Sequence, residues 1–139
     1  MASITKQISL PADADRTWAA VRDVANPHLL FAGVLTAAEP DGDDARVVTF
    51  ADGLVVRERI LAVDDATRCV AYRVEGLFEH HHATMTVAAA PGGSTLTWVT
   101  ELRPDDAAPL VEGLMDQGLA AAAASLSRAS WPARADRVR

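Results

Sequence analysis

Residues 53–100 constrain the fold most, because apolar and polar residues alternate along them in short runs separated by turn residues. The runs cover residues 54–63, 69–75, 80–87 and 94–100. A period of two is typical of strands with one apolar face, and short turns between successive strands make the pairing antiparallel. A few polar groups share the apolar face. The pattern therefore predicts one wall of a small-molecule pocket.

Helical patterns flank this strand region. After a first strand at 3–10, an aspartate (Asp13 or Asp15) can cap a short helix, and a second short helix follows at 28–34. Apolar and small residues then repeat at three- and four-residue spacing over 106–130, which predicts one long C-terminal helix.

The order of elements predicts an α+β fold. One strand, two short helices, six strands and one long helix leave a single sheet to cover a single long helix, so the sheet must curl around it. We expect a helix-grip fold with about seven antiparallel strands. Residues 1–130 are predicted to form one ligand-binding domain, and residues 131–139 a C-terminal tail.

Charge and composition exclude several function classes. The net charge is −6 at pH 7, whereas nucleic acids and anionic membranes select clustered Lys and Arg. Cys69 is the only cysteine, so no intramolecular disulfide can form. No apolar run reaches about 18 residues and no signal-peptide pattern begins the chain. We predict a cytoplasmic protein, monomer or homodimer, without nucleic-acid binding or membrane insertion.

The order and spacing of these features resemble the Bet v 1/START-like (SRPBCC) superfamily, in its polyketide cyclase/dehydrase-type bacterial branch. The matching residues are Ile4–Leu10 with Pro11 and Trp18, Arg46–Gly53, Arg57–Ile60 with Asp64 and Asp65, Tyr72 before Gly76, and Thr97-Trp98 leading to Pro104. The resemblance implies a cavity between the curled sheet and the last helix. It implies no single activity, because the superfamily contains carriers, cyclases and receptors.

Strand parity predicts which side chains face that cavity. Burying one carboxylate costs less than burying two guanidinium groups. In the strand over residues 54–63, Glu58 is therefore predicted to face inward with the other even-numbered residues, from Leu54 to Ala62, and Arg57 and Arg59 to face outward. The same reasoning applies to the other strands. The predicted ligand-binding residues are Val48, Phe50, Val56, Glu58, Tyr72, His81, Met85, Trp98 and Thr100 of the sheet, with Val111, Met115 and Gly118 of the last helix.

Small residues on the inward side of the last helix, such as Gly118 and Ala122, support a cavity from the opposite wall. We expect them to leave volume that a solid core would fill. The alternative explanation is that alanine simply favours helix.

Glu58, His81 and Tyr72 are the candidate catalytic residues. A carboxyl group and an imidazole on one wall can move a proton on a bound ligand, and a phenol can donate to a developing oxyanion. The alternative is that Glu58 pairs with His81 or a buried water, or orients the ligand. We expect Glu58 and His81 to approach within the reach of a hydrogen bond or one water, so that their titrations are coupled and ligand binding varies with pH between about 5 and 8.

We therefore predict a protein that binds a small hydrophobic or aromatic metabolite, such as a polyketide, lipid or terpenoid-like molecule. The second function is a cofactor-independent cyclase, dehydratase or isomerase, and the third is an interaction module.

The run His80-His81-His82 raises the question of a metal site. Successive side chains of a strand point to opposite faces, so only His80 and His82 can share an ion. Two ligands with no Cys, Asp or Glu on that face of the strand do not make a site. No glycine-rich phosphate loop opens a helix, and we predict no metal and no cofactor.

Overall fold

The architecture of residues 1–127, which the computed structural model describes, is a strand followed by two short helices, six strands and a long helix. The elements are β1 (Ala2–Leu10), α1 (Ala14–Val21), α2 (Pro27–Leu30), β2 (Leu35–Pro40), β3 (Ala45–Phe50), β4 (Val55–Asp64), β5 (Cys69–Glu75), β6 (His80–Ala90), β7 (Gly93–Arg103), a 3-10 turn (Asp105–Ala107) and α3 (Ala108–Ser127). The predicted element order and the α+β class are confirmed.

The strands form one antiparallel seven-stranded sheet in the order β1-β7-β6-β5-β4-β3-β2, which does not close into a barrel. Helix α3 packs on β1 and contacts α2, α2 packs on β2, and α1 packs on β6 and β7. The core lies between the inward face of the sheet and α3, which contributes Val111, Met115, Leu119, Ala122 and Leu126. These contacts confirm the helix-grip arrangement.

Helix α1 begins where the sequence places its cap and is tied to the sheet by a distant turn. The Asp13 carboxylate accepts from the Arg16 backbone N–H at 2.8 Å, which satisfies one free donor of the first turn. At the other end, the Trp18 indole N–H and the Arg22 guanidinium both donate to Asp65, at 2.9 and 2.7 Å. This contact fixes α1 against the turn between β4 and β5.

The second helix and the last helix differ from their predicted bounds. Helix α2 ends at Leu30 instead of residue 34, because the backbone leaves the helical region at Phe31, with a φ of −98° and a ψ of +44°, and Gly33 then adopts a φ of +89°. The 3-10 turn over Asp105–Ala107 delays the start of α3 to Ala108. The predicted end of this helix at Ser130, the tail at 131–139 and the domain boundary between them lie outside the described residues.

A β-bulge changes the parity in β4. The pairing of β4 with β5 shifts register between Ile60 and Ala62, and an extra residue reverses which face the following side chains occupy. Ala62, predicted to face inward, is exposed. The outward assignment of Arg57 and Arg59 is confirmed, because both guanidinium groups contact Glu75 on the outer face.

Arginines surround Glu75 on this outer face and keep its carboxylate charged. The hydrogen bond from Arg59, at 2.9 Å, is the main cause that lowers the pKa of Glu75 to about 2, with help from Arg57 and Arg73.

No helix within residues 1–127 is long and apolar enough to span a membrane.

Candidate ligand-binding cavity

A cavity of about 130 Å³ lies between the inward face of the sheet and the first half of α3. This is slightly smaller than a cavity of roughly 150 Å³ that holds a benzene molecule, so a larger ligand extends into the opening of the cavity. The wall is formed by Pro27, Phe31, Val34, Leu35, Arg46, Phe50, Leu54, Val56, Glu58, Tyr72, Val74, Leu77, Phe78, His81, Met85, Trp98, Thr100, Leu110, Val111, Leu114, Met115 and Gly118. Most of these side chains are apolar, as expected for a hydrophobic ligand.

The predicted ligand-binding residues lie on this wall with one exception. Val48 has no exposed surface and belongs to the solid part of the core. Parity assigned its side chain to the inward face correctly, but parity says nothing about whether neighbouring side chains cover it. Whether the residues on the wall bind a ligand stays a prediction.

A buried ion pair between Arg46 and Glu58 forms the most polar part of the wall. The Arg46 Nε donates to Glu58 Oε1 at 2.9 Å, and its Nη2 lies 2.8 Å from the same oxygen. Its Nη1 donates to the Val24 carbonyl oxygen at 2.8 Å. Both residues are less than a tenth exposed, and the guanidinium carbon lies 5.5 Å from the centre of the Tyr72 ring.

Sequence reasoning missed Arg46, although two signals for it were present. Arg46 shares its strand parity with Val48 and Phe50, and the turn at 52–53 places it opposite Glu58 in the hairpin of β3 and β4. The expected pairing of Glu58 with His81 is replaced by this ion pair, because a guanidinium group satisfies a buried carboxylate better than an imidazole does.

His81 is buried as predicted, whereas His80 is exposed and His82 half-buried. Its Nδ1 accepts from the Val74 backbone N–H at 3.0 Å, so the neutral ring carries its proton on Nε2. The ring stacks on Phe78, with 5.5 Å between centroids. Burial, helped by the charges of His80 and His82, lowers the pKa of His81 to about 4. The expected titration between pH 5 and 8 is therefore wrong for this residue.

Tyr72 remains a hydrogen-bond donor at neutral pH. Burial is the main cause that raises the pKa of its phenol, and the negative charge of Glu58 adds to this, while Arg46 and the nearby Trp98 N–H oppose it. The ring lies 5.8 Å from that of His81. The protonated hydroxyl can donate to an oxygen of a ligand.

Trp98 crosses the cavity from β7 to α3 and rests on Gly118. A side-chain carbon added at Gly118 would lie 2.8 Å from the Trp98 Cζ3 and 3.6 Å from the Phe31 ring. Gly118 was expected to leave empty volume, but the indole ring fills that space. The two aromatic rings, Trp98 and Phe31, have centroids 5.5 Å apart. The Trp98 Nε1 is buried and has no hydrogen-bond partner within residues 1–127.

Leucines from two loops and one helix form the rim of the cavity. Leu54 precedes β4, Leu77 lies between β5 and β6, and Leu110 lies in the first turn of α3. Their exposed fractions are 44%, 52% and 66%. Sequence analysis did not assign Leu77 or Leu110, since turn and helix-end positions carry no parity signal. The opening is therefore apolar as well as the interior.

Comparisons with known proteins agree with this geometry. Residues 1–131 match the family model described as polyketide cyclase/dehydrase and lipid transport, while no curated protein matches the sequence. An uncharacterized protein from Bacillus thuringiensis has a similar fold, with a TM-score of 0.81 at 18% identity, over 91% of this chain and 100% of that one. The protein XoxI from Bacillus cereus has a TM-score of 0.80 at 19% identity, over 91% and 96%.

A third similar structure is the di-domain ARO/CYC BexL from the BE-7585A biosynthetic pathway, with a TM-score of 0.80 at 17% identity. The alignment covers 95% of this chain and 48% of BexL. At these identities the structures show a shared fold, and the family match rests on the sequence. The chain belongs to the polyketide cyclase/dehydrase and lipid transport family.

Proposed function

We propose that the protein binds a small hydrophobic or aromatic metabolite in the cavity between the sheet and α3, and that Glu58, Tyr72 and His81 orient it. The observation that carries this proposal is an apolar wall with a few separated polar groups around a volume of about 130 Å³. That combination is typical of sites that hold an apolar body and fix its orientation through a small number of hydrogen bonds.

The state of the polar groups favours orientation over proton transfer. Glu58 is held in place by Arg46, whose Nε and Nη2 both contact its Oε1. His81, with a pKa of about 4, is neutral at pH 7 and a weak base. His81 is therefore poorly matched to acid–base catalysis near neutrality.

A matched pair of variants tests the binding function. Val56 and Val55 are neighbours on β4, but Val56 lines the cavity and Val55 is 58% exposed. We expect Val56→Phe to weaken binding of 1-naphthol by about tenfold or more, because the new ring occupies the ligand volume. Val55→Phe adds the same ring outside and should leave binding unchanged. Saturation-transfer NMR measures both.

Two results would contradict the binding function. If the two variants lost 1-naphthol binding equally, or retained it equally, the probe would bind outside the cavity. A protein that neither binds 1-naphthol nor carries a co-purified small molecule in native mass spectrometry would have no ligand function of this kind.

The second candidate function is a cofactor-independent cyclase, dehydratase or isomerase, which the description of the family favours. Tyr72 is the residue best suited to it, because its protonated hydroxyl can stabilise an oxyanion. If a poly-β-ketone is cyclised faster with the protein than in buffer, Tyr72→Phe should lower the rate about 10²-fold while binding of 1-naphthol survives. Mass spectrometry of the products distinguishes an enzyme from a carrier.

A further inference from the structure

Two side-chain polar atoms within residues 1–127 are buried without a hydrogen-bond partner: the Trp98 Nε1 and the His28 Nδ1. Only Trp98 lies on the wall of the cavity, and it is 9% exposed. A buried donor without an acceptor is unfavourable, and native proteins rarely retain one. The Trp98 N–H therefore indicates an acceptor that the folded chain does not supply.

Packing prevents the indole from turning away to find another partner. One edge of the ring lies in the notch at Gly118, where an added carbon would meet it at 2.8 Å. Phe31 covers another part of the ring, with 5.5 Å between centroids and an angle of 31° between planes. The donor is thus held in place before any ligand arrives, which lowers the entropy cost of binding.

Within residues 1–127, no polar group accepts a hydrogen bond from the Trp98 N–H, and two groups nearby can themselves donate. The Tyr72 hydroxyl lies near the Trp98 N–H but makes no hydrogen bond with it, and it keeps its proton and can donate to a ligand. The Nδ1 of His81 is occupied by the Val74 N–H, so the ring can offer only its Nε2–H. The carboxylate of Glu58 receives both Arg46 contacts on Oε1 and accepts nothing from the Trp98 N–H.

We propose that the Trp98 N–H, with the Tyr72 hydroxyl beside it, binds a carbonyl oxygen of the ligand. The ligand class is then an apolar or aromatic ketone or ester, and neither a hydrocarbon nor an amine. A carbonyl oxygen has two lone pairs and can accept both hydrogen bonds, whereas a protonated amine has no lone pair to accept either of them. This inference rests on the proposed binding function and specifies what the cavity selects.

Acetophenone and ethylbenzene test the inference, because they have nearly the same shape and differ in the carbonyl group. We expect the wild-type protein to bind acetophenone about tenfold more tightly, the effect of an otherwise unmade hydrogen bond. Trp98→Phe should bring the ratio of the two affinities close to one. Because both probes have the same shape, a change in cavity volume affects both affinities and leaves their ratio unchanged. Tyr72→Phe removes only a hydroxyl group and changes the cavity volume less, and it should lower the ratio in part.

The indole N–H signals in a ¹H–¹⁵N spectrum give a direct measurement. Acetophenone should shift the Trp98 indole signal downfield, and ethylbenzene should not. Trp18 is an internal control, because its N–H already donates to Asp65 and its signal should stay in place.

The outcomes separate this inference from the function on which it rests. Equal affinities for the two probes in the wild-type protein, or an unmoved Trp98 signal with acetophenone bound, would overturn the carbonyl site and leave the binding function intact. Binding of neither probe would overturn both.

Discussion

At the scale of single residues, the cavity depends on charged and polar side chains that satisfy one another. Two nitrogen atoms of Arg46 contact Glu58 and the third donates to the Val24 carbonyl oxygen, while the guanidinium carbon lies over the Tyr72 ring. Removing two charges from water is costly, so such a pair contributes little net stability, but removing one partner leaves the other charge buried and unpaired. The pair therefore constrains which residues can be changed separately.

Glu58→Gln should destabilise the protein by about 3–5 kcal/mol, because the buried guanidinium group of Arg46 loses its counter-charge. The double variant Arg46→Met/Glu58→Leu should recover most of that loss, since it removes both charges and keeps similar volumes. Glu101→Gln on the exposed face is the control and should change the free energy of unfolding by less than about 0.5 kcal/mol. Urea denaturation measures all three. A Glu58→Gln protein as stable as the wild type would mean that the pair is not closed in solution.

His81 should make the folded protein sensitive to mild acid. An unfolded chain takes up a proton on histidine near pH 6.5, but the folded protein resists protonation of His81 until about pH 4. Stability present above pH 6.5 is therefore lost as the pH falls from 6.5 to 4, by up to roughly 3 kcal/mol.

The pH dependence of the free energy of unfolding between pH 4 and 6.5 tests this. His81→Gln should flatten it. His82→Ala should retain most of it, because burial is the main cause of the shift and His82 a lesser one. An unchanged slope in His81→Gln would assign the acid sensitivity to other groups.

At the scale of secondary-structure elements, α3 and the sheet meet through one aromatic side chain. Trp98 on β7 reaches α3 at Gly118, five residues beyond a second glycine at Gly113. An added carbon would collide with the indole at Gly118 but meets nothing within 4 Å at Gly113. The same helix thus contains one glycine that the packing needs and one that it does not.

Gly118→Ala should destabilise the protein by about 1–3 kcal/mol, because the methyl group pushes Trp98 from its position. Gly113→Ala should stabilise it by roughly 0.5–1 kcal/mol, since alanine costs less in a helix than glycine and has room there. Thermal unfolding of the two variants provides the comparison. Equal effects of the two substitutions would show that the indole does not rest on this part of α3.

Periodicity along the chain predicted the antiparallel sheet, the long helix and half of the residues on the cavity wall, because a buried face imposes a period of two on a strand and of about 3.6 on a helix. It failed where the backbone departs from that period, as at the bulge between Ile60 and Ala62. It also could not show that Val48 is covered or that Trp98 fills the space at Gly118, since both depend on depth and side-chain length. Arg46 was missed because an arginine is usually assigned to the surface.

At the scale of the whole molecule, an open sheet leaves two edges, β1 and β2. β2 has six residues, its pairing with β3 is interrupted between Leu35 and Ala37, and it ends at Pro40. Short strands, irregular pairing and proline all discourage further strands from adding to an edge. By contrast, β6 and β7 pair without a register shift, from the pair His80–Arg103 to the pair Ala90–Gly93. Both are inner strands, because β5 borders β6 and β1 borders β7.

Amide hydrogen exchange should therefore be uneven across the sheet. We expect the inner amides of β6 and β7 to exchange only on global unfolding, and those of β2 to exchange at least about 100-fold faster by local opening. Exchange followed by mass spectrometry of peptic fragments resolves the two regions. Equal protection would indicate that the sheet opens as a single unit.

The pairing of β1 with β7 has a consequence for synthesis on the ribosome. Ala2 lies opposite Leu102, and Leu10 opposite Ser94, so the first strand to be made must wait for the last one. At about 5–20 residues per second, the wait lasts roughly 5–20 seconds. During that time β1 has no partner, and closing so long a loop before any contact forms slows folding. Nascent chains of this protein should therefore depend on chaperones more than chains whose neighbouring strands pair at once.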